Sequence, residues 1–277
     1  MTIIGRMTEL RVLAPDGVPL TALDDGDSGP TVLVVHPGGR GPESWDEVAR
    51  LLTEGFRVVR IRRRIYEPGV RIGRDHSMAV EAADVLAVAE SLTAAGPVLL
   101  VGHSSGAVAA LEAALRDPSP FAGVVAYDPP IPTRSLLVGE AGPRARAALD
   151  AGDPAEAIRI HLRTITGLPD EVVAGALTDP HVQALIATHA EAQIVEDEII
   201  DALGLGVDRY GALRLPVTLL QGERSFPHLH ERVADLAAVL PDARVVTLPG
   251  QGHGANSDAP EELAEEIREA AKGVFAG

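Results

Sequence analysis

The apolar positions along this chain follow two alternating periods. "TVLVVH" (31–36) is a continuous β-branched run, the pattern of a strand covered on both faces. "FRVVRI" (56–61), "VLLVG" (98–102), "FAGVVAY" (121–127), "LPVTLLQG" (215–222) and "ARVVTLP" (243–249) predict further strands. Between them the spacing becomes helical. "PESWDEVARLL" (42–52) puts Trp45, Val48, Leu51 and Leu52 on one side, and helices are predicted over 77–95, 105–117, 230–240 and 259–275. Near the start, "LRVLAPDGVPLTAL" (10–23) predicts a hairpin turning at Asp16-Gly17.

Strands and helices that alternate through short connections predict an α/β fold, a mostly parallel central sheet with helices on both faces. The alternation stops between Pro129 and Leu213, where only helices are predicted, over 143–150, 154–166, 169–177, 179–190 and 191–203. Asp153-Pro154 and Asp179-Pro180 mark two of their starts, an acid at the N-cap and proline at the first helical position. Residues 1–128 and 214–277 are therefore expected to form the core, and 129–213 an inserted helical cap.

Composition narrows the function. The 277 residues are 46% hydrophobic, enough for a sizeable core. A net charge of -16 opposes binding to a nucleic-acid backbone or an anionic membrane. The chain has no cysteine, which excludes disulfides, thiolate nucleophiles and Cys-based metal sites. No run is long enough to span a membrane. The opening apolar run, broken by Gly5 and Arg6, is too short for a signal peptide. A cytoplasmic protein acting on a small molecule is expected, as a monomer or a homodimer.

The chemistry centres on "GHSSG" (102–106), where a strand turns into a helix. Flanking glycines permit a sharp turn that exposes Ser104 as a nucleophile. A serine needs an oriented base. His253 in "LPGQGHGANSDAP" lies after a strand and before the last helix, and completes the chain order serine, acid, histidine. Two acids compete. Asp128 in "VVAYDPP" ends the strand after the elbow helix, where catalytic groups collect, and is favoured. Glu223 in "LLQGERSFP" ends the next strand. Oxyanion donors are expected from the backbone N–H of Ser105 and of Gly38 in "HPGGRG" (36–41), with Gly39 the alternative to Gly38. No Gly-Lys-Ser/Thr follows that loop, so it is not a P-loop, and no HExxH spacing occurs, so neither cofactor nor metal is expected.

These residues resemble the α/β-hydrolase superfamily over nearly the whole chain. His36 with Gly38-Gly39 and Trp45 is similar to its oxyanion loop, "GHSSG" to its nucleophile pattern, and "PGQGHGANSDAPEELAEEI" to its histidine loop and last helix. The insertion falls where the family places its cap. Most members carry the acid after the penultimate strand, where this chain has Ser225. A subset carries it one strand earlier, often as Tyr-Glu-Pro-Pro, and "YDPP" (127–130) resembles that form, which supports Asp128. A second departure is "IRRRIYEPG" (61–69), in place of an Asp-Arg-Arg-Gly stretch. Its arginines either hold a substrate carboxylate or form a solvated basic run, and the second reading is favoured. The resemblance implies hydrolysis of an ester, thioester or lactone, and the Ala, Leu, Ile and Val of the cap, in a chain only 3% aromatic, predict an aliphatic pocket. Elimination, cyclisation, carbon–carbon bond hydrolysis and non-catalytic ligand binding are the alternatives.

Overall fold

The computed structural model describes residues 7–26, 28–70, 72–73 and 75–275. The signal-peptide reading at Gly5 and Arg6 lies outside these residues.

Two strands, β1 (Thr8–Leu13) and β2 (Pro19–Asp24), form the expected hairpin. There follow β3 (Thr31–Val35), α1 (Asp46–Leu52), β4 (Arg57–Arg62), α2 (Met78–Leu92), β5 (Val98–His103), α3 (Ser105–Arg116) and β6 (Phe121–Tyr127). Four helices intervene: α4 (Ala141–Asp150), α5 (Pro154–Thr166), α6 (Asp170–Ala176) and α7 (Pro180–Asp201). The alternation resumes with β7 (Val217–Gly222), α8 (Pro227–Val239), β8 (Ala243–Leu248), the short α9 (Ala255–Asp258) and α10 (Pro260–Phe275).

The strands lie in the order β1-β2-β4-β3-β5-β6-β7-β8. Only the β1–β2 and β2–β4 pairings are antiparallel. In β3, Leu33 and Val35 join the core under α2 and α3, while Val32 and Val34 join the core under α1 and α10. A strand buried on both faces must be apolar at every position, which is why "TVLVV" is unbroken. From β3 the chain steps outward to β4 and then returns to β5 on the other side. That reversal opens a crevice at the carboxyl ends of β3 and β5, where ligands bind in sheets of this kind.

Two details differ from expectation. The break between 190 and 191 does not exist: α7 runs unbroken through it. No glycine or proline follows Pro180 within this helix, so nothing interrupts its hydrogen bonding. The other difference is α9, a single turn after the His253 loop. Both aspartate caps are present: Asp153 accepts from the Glu156 N–H, and Asp179 from those of His181 and Val182.

Candidate active site

Ser104 and Asp128 are the only non-glycine residues with positive φ among those described, at 54° and 47°. Such backbone is strained for an L-residue and concentrates at functional sites. At Ser104 the cause is the junction of β5 with α3. A Cβ on Gly102 would sit 2.5 Å from Ala107 Cα, and one on Gly106 2.4 Å from the carbonyl oxygens of Val35 and His36. Only glycine fits at either position, because the first turn of α3 is pressed against both neighbouring strands.

The sheet register brings the next groups in. His103 pairs with Tyr127, so Ser104 and Asp128 leave their strands side by side. The Ser104 N–H donates to Tyr127 O (2.8 Å) and the Asp128 N–H to Leu220 O (2.9 Å). Asp128 is fully buried, and its Oδ2 accepts from His253 Nδ1 at 3.0 Å and from Ser225 Oγ at 2.6 Å. A carboxylate only accepts, so the proton is on Nδ1 and the lone pair of a neutral ring is on Nε2. Glu223 is elsewhere. It is exposed and accepts from the Gly250 N–H (2.6 Å), fixing the turn before His253.

Two aromatic rings hold the histidine loop from below. His103 stacks on Tyr127 with centroids 4.5 Å apart, and its Nε2–H donates to His253 O at 2.9 Å. Burial pushes the His103 pKa well down, so the ring is neutral. The Tyr127 hydroxyl donates to Gly252 O and accepts from the Ala255 N–H.

Ser104 and His253 share the wall of a cavity of about 480 Å³, together with Gly38 and Ser105. The Ser104 hydroxyl makes no hydrogen bond to the imidazole here, as is common where the two close up only on substrate. Both glycines of this loop pack against α7, Gly38 against Glu196 and Gln193 and Gly39 against Leu185 and Gln193. The oxyanion-type loop is fixed by His36: its Nδ1–H donates to Pro37 O (2.8 Å) and its Nε2 accepts from the Arg63 N–H (3.1 Å). Burial and the nearby Arg63 lower its pKa to about 3, which keeps that pattern intact.

The arginine stretch neither lines the cavity nor lies solvated. Arg62 pairs with Glu43, and Arg64 with Asp16 and Asp84. Arg63 is buried with Glu81 (2.7 Å) and Glu196 (2.6 Å), and donates to Ser105 Oγ (2.9 Å). The acidic partners that absorb these charges come from other elements, so the run could not be read from its own composition.

The alpha/beta hydrolase family model matches residues 32–266. The chain belongs to that family. The chain is similar to 2-(acetamidomethylene)succinate hydrolase of Mesorhizobium japonicum, 26% identical over 246 residues, covering 84% of this chain and 85% of that one. An alpha/beta hydrolase from Sphaerobacter thermophilus superposes with a TM-score of 0.80 at 24% identity, over 94% of this chain and 99% of that one. A thermophilic esterase from Thermogutta terrifontis superposes with 0.71 at 21% identity, over 96% and 99%.

Within this hydrolase fold, α5 and α7 supply cavity residues that the sequence reading did not single out. They are His161, Gln193, Glu196 and Asp197. Gln193, Glu196, Asp197 and Ile200 follow helical spacing, so they were recognisable as one face. A polar face is ordinarily the solvated one, and here it is buried. His228 donates to Ile165 O and His230 to Gly222 O, both through Nε2. No helix among the described residues is long and apolar enough to cross a membrane.

Proposed function

We propose that this chain is a serine hydrolase that cleaves an ester, thioester or lactone of a small, largely aliphatic molecule through an acyl-enzyme. The observation that carries this reading is Ser104, held at positive φ on a cavity that also receives a histidine backed by a buried carboxylate. Ser104 Oγ attacks the substrate carbonyl and His253 Nε2 takes its proton. The carbonyl oxygen, now negative, is received by the N–H groups of Ser105 and Gly38. Asp128 holds the imidazolium, which protonates the departing alcohol or thiol. Water then attacks the acyl carbon, giving its proton to His253, and Ser104 leaves with that proton restored. In this reading helices α4–α7, within residues 129–213, are a cap that sets substrate choice. Leu137, Leu162, Ile165, Leu185 and Ile200 support the aliphatic pocket, with Phe226 the aromatic carbocycle beside them.

A second reading is favoured by one observation. The relative from Mesorhizobium japonicum acts on 2-(acetamidomethylene)succinate, an amide, and in this second reading the leaving group is an amine handled by the same residues.

Intact mass after fluorophosphonate treatment tests the assignment. The wild type is expected to gain one adduct and Ser104→Ala none. Asp128→Asn should label slower by roughly 10⁴-fold, the cost of the wrong imidazole tautomer. Glu223→Gln should label at close to the wild-type rate, and slowing there alone would move the acid to that residue. A wild type that fails to label would overturn the serine mechanism. Turnover of matched activated esters and anilides then separates the two leaving-group readings.

A further inference from the structure

A second histidine–carboxylate pair faces the same cavity from the inserted helices. His161 on α5 is bonded through Nδ1 to Asp197 Oδ2 on α7, at 2.7 Å. The Asp197 side chain is only 4% exposed and that of His161 12%. His161 lines the cavity that holds Ser104 and His253, and its Nε2 makes no hydrogen bond with any described residue. That atom keeps some accessible surface.

The other side-chain donors that α5 and α7 present there are already committed. Gln193 Nε2 donates to Glu196 and Asp197, at 3.3 and 3.4 Å. The Thr166 hydroxyl donates to Leu162 O at 2.7 Å. The cation near Glu196 is Arg63, already shared with Glu81. His161 Nε2 is left as the one side-chain nitrogen that α5 and α7 bring to this cavity without a partner among the described residues.

We infer that His161, oriented by Asp197, is a specificity-determining residue that donates from Nε2 to an oxygen acceptor, a carbonyl or carboxylate, carried by the substrate away from the scissile bond. This rests on the serine-hydrolase reading above. Burial presses this imidazole toward neutrality, but Asp197 and Glu196 together outweigh it and raise the pKa, which favours the imidazolium, with hydrogens on both Nδ1 and Nε2. The nearest charged groups are Asp197 and Glu196, both of α7. His228 of α8, which bonds to α5 at Ile165 O, is pushed down by burial and adds no charge. His161 thus brings its Nε2 to a cavity wall that Asp197 and Glu196 also line.

The test compares p-nitrophenyl esters of butyric acid, 4-oxopentanoic acid and succinic acid. The first has no second oxygen acceptor, the second a ketone, the third a carboxylate. The wild type is expected to prefer one of the oxygenated esters in kcat/KM. In His161→Gln and Asp197→Asn that preference over butyrate should fall about tenfold, carried mainly by KM. If His161–Asp197 only braces α5 against α7, both variants lower Tm and slow all three esters alike, which overturns the inference. So does a wild type with no preference for either oxygenated ester. Fluorophosphonate labelling of the wild type reports separately on the serine mechanism. Should it fail, succinate and 4-oxopentanoate are titrated calorimetrically into the wild type and His161→Gln. Binding weakened about tenfold in the variant sustains the contact; equal binding, or none to either protein, ends it.

Discussion

At the scale of single residues, the site is a set of strained or sterically forced positions. Ser104 at φ 54° is held there by Gly102 and Gly106, which admit no side chain. Replacing Ser104 with glycine removes the backbone strain along with the hydroxyl. Ser104→Gly should therefore raise stability by about 1 kcal/mol over Ser104→Ala, measured by denaturant unfolding, with neither variant taking a fluorophosphonate adduct. Ser225 shows how a departure from the family pattern is accommodated. It occupies the usual position of the acid, yet it donates to Asp128 at 2.6 Å. A carboxylate there would face Asp128 at hydrogen-bond distance and repel it. Ser104, His253 and Asp128 were legible because each sits in a local motif with its own turn chemistry. Ser225 was legible only as an absence, because its bond spans 97 positions and leaves no local mark.

At the scale of elements, the inserted helices are tied to the core by charged side chains. Arg232 of α8 donates to the carbonyls of Ile131, Ser135 and Leu136, where the chain leaves β6. Within the insertion, Asp201, closing α7, accepts from the N–H groups of Leu137, Val138 and Gly139 and so fixes the segment before α4. Deeper in, Arg63 at the end of β4 joins Glu81 of α2 to Glu196 of α7. Removing one partner of such a buried cluster strands the others, so Arg63→Gln should cost about 3–5 kcal/mol in denaturant unfolding. Burial would raise Glu81, but Arg63 and His76 outweigh it and lower its pKa from 4.5 to about 2. A carboxylate depressed in the folded state stabilises it above the unfolded pKa, and the benefit disappears as pH falls from 4.5 toward 2. Across that window Tm should fall in the wild type and fall less steeply in Glu81→Gln. The aspartate caps of α5 and α7 could be read because a cap is a contact within one turn. The continuity of α7 could not, since "THAEAQ" breaks the apolar period with residues whose burial depends on elements far along the chain.

At the scale of the whole molecule, the strand order decides where the chemistry sits. Reversal at β3 puts the Gly38 loop, Ser104, Asp128 and the His253 loop at one end of the sheet, and the alternating pattern already implied that. The net charge of -16 acts on the fold as self-repulsion. Raising NaCl from about 10 mM to about 150 mM should raise Tm, because screening weakens that repulsion more than it weakens buried ion pairs. One of those pairs has a consequence for ligand traffic. Arg63 touches both Glu196 on an inserted helix and Ser105 beside the elbow, all three buried. Swinging α7 outward would tear a carboxylate from a dry guanidinium. The base of α7 is thereby pinned to the elbow, and exposed Arg40 and Asp258 mark the rim where the cavity meets solvent.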